Sequence, residues 1–286
     1  MLALVKNKLF GYTRLGELSG ADCLPRRIAM EKPAGRSKDR RWIAWLKAVW
    51  IGFWAIFGTI AAFAPVVAAA RLDSTQRVAD WICRAWARML LFVTGVKTRS
   101  RGVEKIQCGV SYVIIVNHQS HFDVLALVLE LPLCIRWVFK KELAGIPLFG
   151  WAVRSMRNVA VDRSNPASAR ASLEQGLRRL PAGASLLFFA EGTRSRDGRV
   201  GAFKTGGFRA AKASGWPILP VVVHGSRRVL PSGSLDFRPG TIEVEVLDPI
   251  SAEAVRASSF DQLTERVRRA IVESFERSPA SGIPSR

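Results

Sequence analysis

"VIIVNHQSHFDVLALVLEL", residues 113–131, decides the fold. Four apolar β-formers, Val113–Val116, stop at Asn117 and His118, and an apolar run with helical spacing starts after Asp123. A short continuous apolar run bounded by polar residues and leading into a helix reads as a buried strand of an α/β sheet. The hinge between the two runs holds His118 and His121, two of the chain's three histidines, and one carboxylate, Asp123. On one regular helix, five residues turn about 140° past a full turn, so His118 and Asp123 would diverge. With His118 at the strand end and Asp123 in the first helical turn, the chain can fold back and bring them together. A carboxylate bonded to one imidazole nitrogen fixes the tautomer and leaves the other nitrogen as a base. A plainer reading fits the same residues: Ser120 as N-cap with an acid three positions later, a capping box that only starts a helix.

Working outward, strand and helix alternate beyond Gly102. The strand candidates are Tyr112–Val116, Ile135–Phe139, Asn158–Val161, Ser185–Phe189, Ile218–Val223 and Ile242–Val246. Between them, "NPASARASLEQGLRRL" has Asn165 as cap and Pro166 at the first helical position. "SSFDQLTERVRRAIVESFER" makes an amphipathic helix capped by Ser259 with Gln262 three residues on. The pattern predicts an α/β domain with a mostly continuous sheet flanked by helices.

An apolar segment precedes this domain. Ala48–Ala70, "AVWIGFWAIFGTIAAFAPVVAAA", carries no charge, and as a helix it is about 34 Å long, enough for a hydrocarbon core of about 30 Å. Trp42, Trp45 and Trp50 near its start suit a membrane interface. A cleavable signal peptide fits poorly, because all of residues 1–47 would be its leader. In "STQRVADWICRAWARMLLFVTGV", Asp80, Arg84 and Arg88 recur every four residues on one face, opposite Trp81, Ile82, Trp86, Met89 and Leu90. This predicts an amphipathic helix with Asp80 placed to pair with Arg84. It would be the second arm of a membrane-associated hairpin, lying in the interface or packed on the soluble domain. The expected organisation is a basic, loosely ordered tail (1–41), the hairpin (42–98), the α/β domain (99–250), and a C-terminal helix with a frayed tail (251–286).

The 286 residues carry 43 Lys and Arg against 23 Asp and Glu, a net charge of +20. Such a charge calls for an anionic partner: a membrane surface, a phosphorylated ligand or nucleic acid. The basic tail lacks interleaved aromatics and any nucleic-acid-binding motif, so no specific nucleic acid is expected. Cys23, Cys83, Cys108 and Cys134 are scattered, without metal-site or disulfide spacing, and read as thiols of a reducing compartment.

A second strand end gives the hinge its meaning. "ASLLFFAEGTRSRDGRVGAFKTG" runs from Leu186–Ala190 into Glu191, Gly192, Thr193 and Arg194, then Phe203, Lys204, Thr205 and Gly206. A glycine-rich turn with Arg and Lys suits phosphate, since amides approach closely and guanidinium binds two oxygens. "NHQSHFD" and "EGTRS" together resemble the glycerolipid acyltransferase family, closest to its 1-acylglycerol-3-phosphate acyltransferases. "FKKELAGIPLFGWAV", "NVAVDRS", "FKTG" and "PILPVVV" are similar to the family's other segments, in order, so that the resemblance covers about residues 90–250.

The resemblance implies that His118 is the general base and Asp123 its orienting partner. The 2-hydroxyl of lysophosphatidic acid would attack the thioester of acyl-CoA or acyl-carrier protein directly, without an acyl-enzyme, a metal or a resident cofactor. Glu191, Gly192, Thr193 and Arg194 match the substrate-binding motif, with Arg194 first for the phosphate. Lys140, Arg163 and Lys204 match further head-group positions, Asn117 belongs to the first motif, and Pro220 matches the fourth motif, on the acyl-donor side. The second motif departs from the family: its opening glycine is Arg157 here. His121 is a solvated first-turn residue or a reserve base, and His224 is structural. The implied location is an inner, cytoplasmic membrane with the site facing the cytoplasm. A spanning helix would then put the basic tail on the far side, so a re-entrant hairpin is expected. The other activities left open are transfer to a different lysolipid, hydrolysis of lipid esters, and a non-catalytic basic membrane adaptor.

Overall fold

The computed structural model describes residues 37–278. Residues 1–36 of the expected basic tail, with Cys23, and the expected frayed end beyond Ser278 lie outside the described residues. Two helices open the described chain, α1 (Ser37–Leu72) and α2 (Arg77–Val93). The α/β part follows as β1 (Val96–Arg101), β2 (Val113–Val116), α3 (Phe122–Glu130), β3 (Cys134–Lys140), α4 (Phe149–Ser155), β4 (Val159–Val161), α5 (Pro166–Arg179) and β5 (Ala184–Phe189). It ends with α6 (Gly206–Ser214), β6 (Ile218–His224), α7 (Ser226–Val229), β7 (Gly240–Val246), α8 (Ala252–Ala257) and α9 (Phe260–Arg277).

The strands form one seven-stranded sheet in the order β1-β7-β6-β2-β5-β3-β4. All neighbours are parallel except β6 and β7. The central strand β2 is buried at every position, as a parallel strand covered on both faces must be. Its side chains alternate. Ile114 and Val116 share one core layer with Leu90 and Leu91 of α2 and Phe122 and Leu125 of α3. Val113 and Ile115 share the opposite core layer with Phe208 of α6 and Leu263, Val267 and Ile271 of α9. Each such side chain contributes about 1.5–3 kcal/mol through burial. The expected strands all form, within two residues at each end; β1, with only two β-branched residues in "VKTRSR", gave no apolar signal and is the one the pattern missed.

The apolar segment is part of the longer helix α1, whose apolar stretch runs over Trp42–Leu72, and most side chains of that stretch stay outside the core: Ile56 is 64% exposed and Trp45 61%. The two helices run antiparallel. Trp50 Nε1 donates to Val93 O at 3.1 Å near one end, and Val66 and Ala70 pack with Ala79 near the other. The turn between them is held by Asp73, whose Oδ1 accepts from the backbone N–H and the hydroxyl of Thr75.

Asp80 does not pair with Arg84. It reaches across to Arg136 of β3, with Nη1 to Oδ1 at 2.7 Å. Arg84 instead donates to the carbonyls of Leu129, Leu131 and Leu133, closing the C-terminal end of α3. Sequence spacing favours the i, i+4 partner, but that exposed pair is worth only about 0.3–0.5 kcal/mol. Arg136 is fully buried and would be an unpaired charge without Asp80. Asp80→Ala should therefore cost about 3–5 kcal/mol in urea unfolding; a loss below about 1 kcal/mol would show that Arg136 is solvated rather than held by Asp80.

Candidate active site

The parallel pairing of β2 with β5 ends at Val116↔Phe189, so His118 and Glu191 leave the sheet side by side. Both readings of the hinge hold in part. Asp123 Oδ2 accepts from the backbone N–H groups of Gln119 (2.7 Å) and Ser120 (2.9 Å), and it lies 2.7 Å from His118 Nδ1. The Ser120 hydroxyl accepts from Phe122 N rather than from Asp123 N, so only the carboxylate half of the capping box forms. A carboxylate oxygen accepts only. Nδ1 therefore carries the proton in the neutral ring, and Nε2 keeps its lone pair. Asp123 is fully buried, whereas the His118 side chain keeps 15% of its surface.

Three further contacts fix the ring and its backbone. The imidazole stacks on Phe189, centroid to centroid 3.7 Å with 16° between planes. His118 N donates to Glu191 Oε1 at 3.0 Å, while Gly201 N donates to Oε2 at 3.0 Å. Ser195 N donates to His118 O at 2.8 Å. The "EGTRS" turn thus grips the histidine's backbone from both sides. Burial pushes the Glu191 carboxyl above its usual range, against the pull of the Gly201 and His118 N–H groups.

Comparisons with known proteins place the chain in a family. A family model described as Acyltransferase matches residues 97–224, which hold every strand from β2 to β6 and both loops. A 1-acyl-sn-glycerol-3-phosphate acyltransferase of Pseudomonas aeruginosa is 33% identical over 223 residues, covering 77% of this chain and 84% of the relative. The chain belongs to the 1-acyl-sn-glycerol-3-phosphate acyltransferase family. A chloroplastic member from Brassica napus is 33% identical over 197 residues, 68% of this chain, and the chain spans about half of that relative's length, 55%. The fold is shared with the crystal structure of the 1-acyl-sn-glycerophosphate (LPA) acyltransferase PlsC of Thermotoga maritima, at TM-score 0.71 and 23% identity, over 84% of this chain and 98% of that one.

The other motif residues of this family member fall into four places. Arg163, Glu191, Gly192, Thr193 and Lys204 line a cleft of about 1010 Å³ between α5 and α6. Its floor is apolar, from Ile115, Val138, Val161, Leu173 and Phe188, and its rim is basic. The Arg163 guanidinium donates to Gly192 O, and Lys204 N to Ala190 O at 2.7 Å, which ties both to the turn. His118 is not among the lining residues, but Phe189, on which its ring stacks, is one of them. Arg194 lines a smaller polar cleft of about 490 Å³ with Arg196 and Arg199, and its positive charge reaches His121. Loss of water around the His121 ring, then Arg194, holds that imidazole below its usual value.

Asn117 and Pro220 lie inside the sheet. Asn117 is fully buried, exchanging hydrogen bonds with Val223 of β6 through both its amide nitrogen and its oxygen. Pro220 sits opposite Ile115, where the antiparallel register slips by one between Val221↔Val246 and Ile218↔Ile250. A bulge is where a strand tolerates a residue without an N–H. Lys140 ends β3 exposed and pairs with Glu142 at 3.0 Å rather than with a residue of the hinge. Phe189 is the site residue that sequence reasoning missed. Which of two adjacent phenylalanines faces the histidine depends on the β2–β5 register, and nothing local signals it.

His224 is fully buried, with Nε2 2.8 Å from Glu245 Oε2, and that carboxylate also accepts from Arg101 and Ser274. Burial holds the imidazole below its ordinary value, 6.5, despite the bond to Glu245. With a depressed folded pKa, the unfolded chain takes the proton first, so this contribution to stability is lost as pH falls below about 6.5. Urea midpoints should drop between neutrality and about pH 5.5, and drop less in His224→Gln; equal slopes would remove His224 from that window.

Proposed function

We propose that this chain transfers a fatty acyl group from acyl-CoA or acyl-carrier protein to the 2-hydroxyl of lysophosphatidic acid, giving phosphatidic acid. The observation that carries this reading is the His118–Asp123 pair with its Nε2 lone pair, in a chain of this family. Nε2 takes the hydroxyl proton as the oxygen attacks the thioester carbonyl carbon. Asp123 stabilises the imidazolium that forms. The tetrahedral intermediate collapses with cleavage of the C–S bond, and the departing thiolate takes the proton from Nε2, returning the histidine to its neutral state. No acyl-enzyme forms, and the route uses no metal or resident cofactor.

Arg194 is the first choice for the acceptor phosphate, with Arg163 and Lys204, which are hydrogen-bonded to Gly192 and Ala190 beside that turn, as further cations. The α5–α6 cleft, apolar below and basic at the rim, suits an acyl chain carried by an anion. The exposed apolar face of α1 and the basic surface fit a bilayer as the source of the acceptor. α1 touches the same α/β domain at two separated places, through Lys47–Asp236 at 2.8 Å and through Val66 and Ala70, which cluster with Met156. A helix so attached favours lying against one leaflet over crossing the membrane, with the site on the cytoplasmic side.

The test is thiol release from long-chain acyl-CoA, with and without lysophosphatidic acid. Release should require the acceptor and fall about 10²–10⁴-fold in His118→Ala, whose thermal melt should match wild type. Release without acceptor would indicate hydrolysis, and full activity in the variant would remove His118 as base. Arg194→Ala should lower kcat/KM on phosphorylated acceptors by roughly 10- to 100-fold, with neutral acceptors little changed. An equal loss on both would argue against phosphate recognition by Arg194.

A further inference from the structure

The C-terminal end of β4 leads to Arg163 and the site, but its N-terminal end is preceded by Arg157. At most roughly 20 Å of chain separates the two, and Arg157 is absent from the lining of the clefts that hold Arg163 and Arg194. Around it is a separate cleft of about 670 Å³, into which α4, the turn after it and the last turn of α5 bring Arg154, Arg157, Arg178 and Arg179. No acidic residue lines it. Among the described residues, no salt bridge involves any of these four, whereas Arg170 on the same α5 pairs with Glu174, and Arg99 and Arg101 pair with Glu243.

The C-terminal dipole of α5 offsets part of the charge on Arg178 and Arg179. Arg157 reaches a carbonyl, Arg179 O at 3.5 Å, but no carboxylate among the described residues. It sits at φ 58°, a left-handed conformation that costs a side-chain-bearing residue free energy and costs glycine almost none. Four cations facing one space, one of them on a strained backbone, are what a bound anion would reward. Guanidinium groups bind phosphate oxygens in pairs.

The surroundings indicate where the phosphate comes from. Met156, next to Arg157, packs on Val66 and Ala70 of α1 and Ala79 of α2. Gln76, in the hairpin turn, donates to Ser155 O at 3.2 Å. Trp151 of α4 is 64% exposed and lies 6.4 Å from Phe63 of α1, ring to ring. The cleft therefore adjoins the apolar hairpin. We propose that it binds the phosphate of an anionic phospholipid that does not react, at a site separate from the acceptor's, and so seats the protein on negatively charged bilayers. This rests on the reading of α1 as membrane-associated.

The test is co-sedimentation of the full chain with vesicles of phosphatidylcholine alone, or of phosphatidylcholine mixed with phosphatidylglycerol, at fixed ionic strength. The variants are Arg157→Gly, which suits the left-handed backbone and so keeps the fold, and the double variant Arg178→Gln/Arg179→Gln. Partition onto the anionic vesicles should fall about five-fold for each arginine removed, with partition onto neutral vesicles unchanged. No change on either, or an equal fall on both, overturns the proposal. So does an Arg157-dependent rise in Tm with pyrophosphate that anionic vesicles fail to reproduce, which would assign the cleft to a soluble anion. Wild type that sediments with neither vesicle overturns the lipid assignment together with the membrane reading of α1. The thiol-release assay in detergent remains a separate check on the chemistry, and its acceptor dependence should be the same in wild type and Arg157→Gly.

Discussion

Everything at the site depends on two parallel strands ending at the same level. β2 and β5 are far apart in sequence, but their register, Val113↔Leu186 through Val116↔Phe189, brings the residues that follow them into contact. The Glu191 carboxylate then bridges two backbone N–H groups, His118 on one side and Gly201 on the other. Side-chain hydrogen bonds of this kind act through geometry: they remove the freedom of a loop that would otherwise move the imidazole. A slip of one residue between the strands would turn Phe189 away from the ring and separate Glu191 from His118.

The same economy appears at Asp123. One oxygen serves the helix start, through Gln119 and Ser120, and the imidazole, through Nδ1. The orientation of the base and the start of α3 are a single event, so the base is aimed as soon as the helix forms. The core beneath makes this rigid. Phe122 and Leu125 of α3 belong to the same buried core layer as Ile114 and Val116 of β2.

Charge is handled differently inside and outside. Buried Arg136 is paired with Asp80, and buried His224 is joined to Glu245, so each of these interior groups has an answering one. The arginines around the two polar clefts mostly lack such answers: the lining of one has no carboxylate, and that of the other has three arginines against Glu191 and Asp197. A protein with 20 excess positive charges can sustain this only where water or an anion occupies the space.

By itself the sequence determined the α/β class, the ranges of six strands, the apolar helix, the capped helices and the two motif-bearing hinges. These follow from local rules, namely periodicity, capping residues and glycine in turns, which act over a few residues. Only the tertiary structure decided the rest. It joined β1 to the edge of the sheet, though "VKTRSR" has no apolar alternation, because pairing with β7 supplies the hydrogen bonds that its side chains do not advertise. It gave Asp80 to Arg136 in preference to Arg84, because a buried charge gains more from a partner than an exposed one. It drew Asn117 and Pro220 into the sheet, and it chose Phe189 over Phe188 as the surface beneath His118. Each of these depends on which face or end of a distant strand comes alongside, and that is fixed by register and packing across the whole sheet.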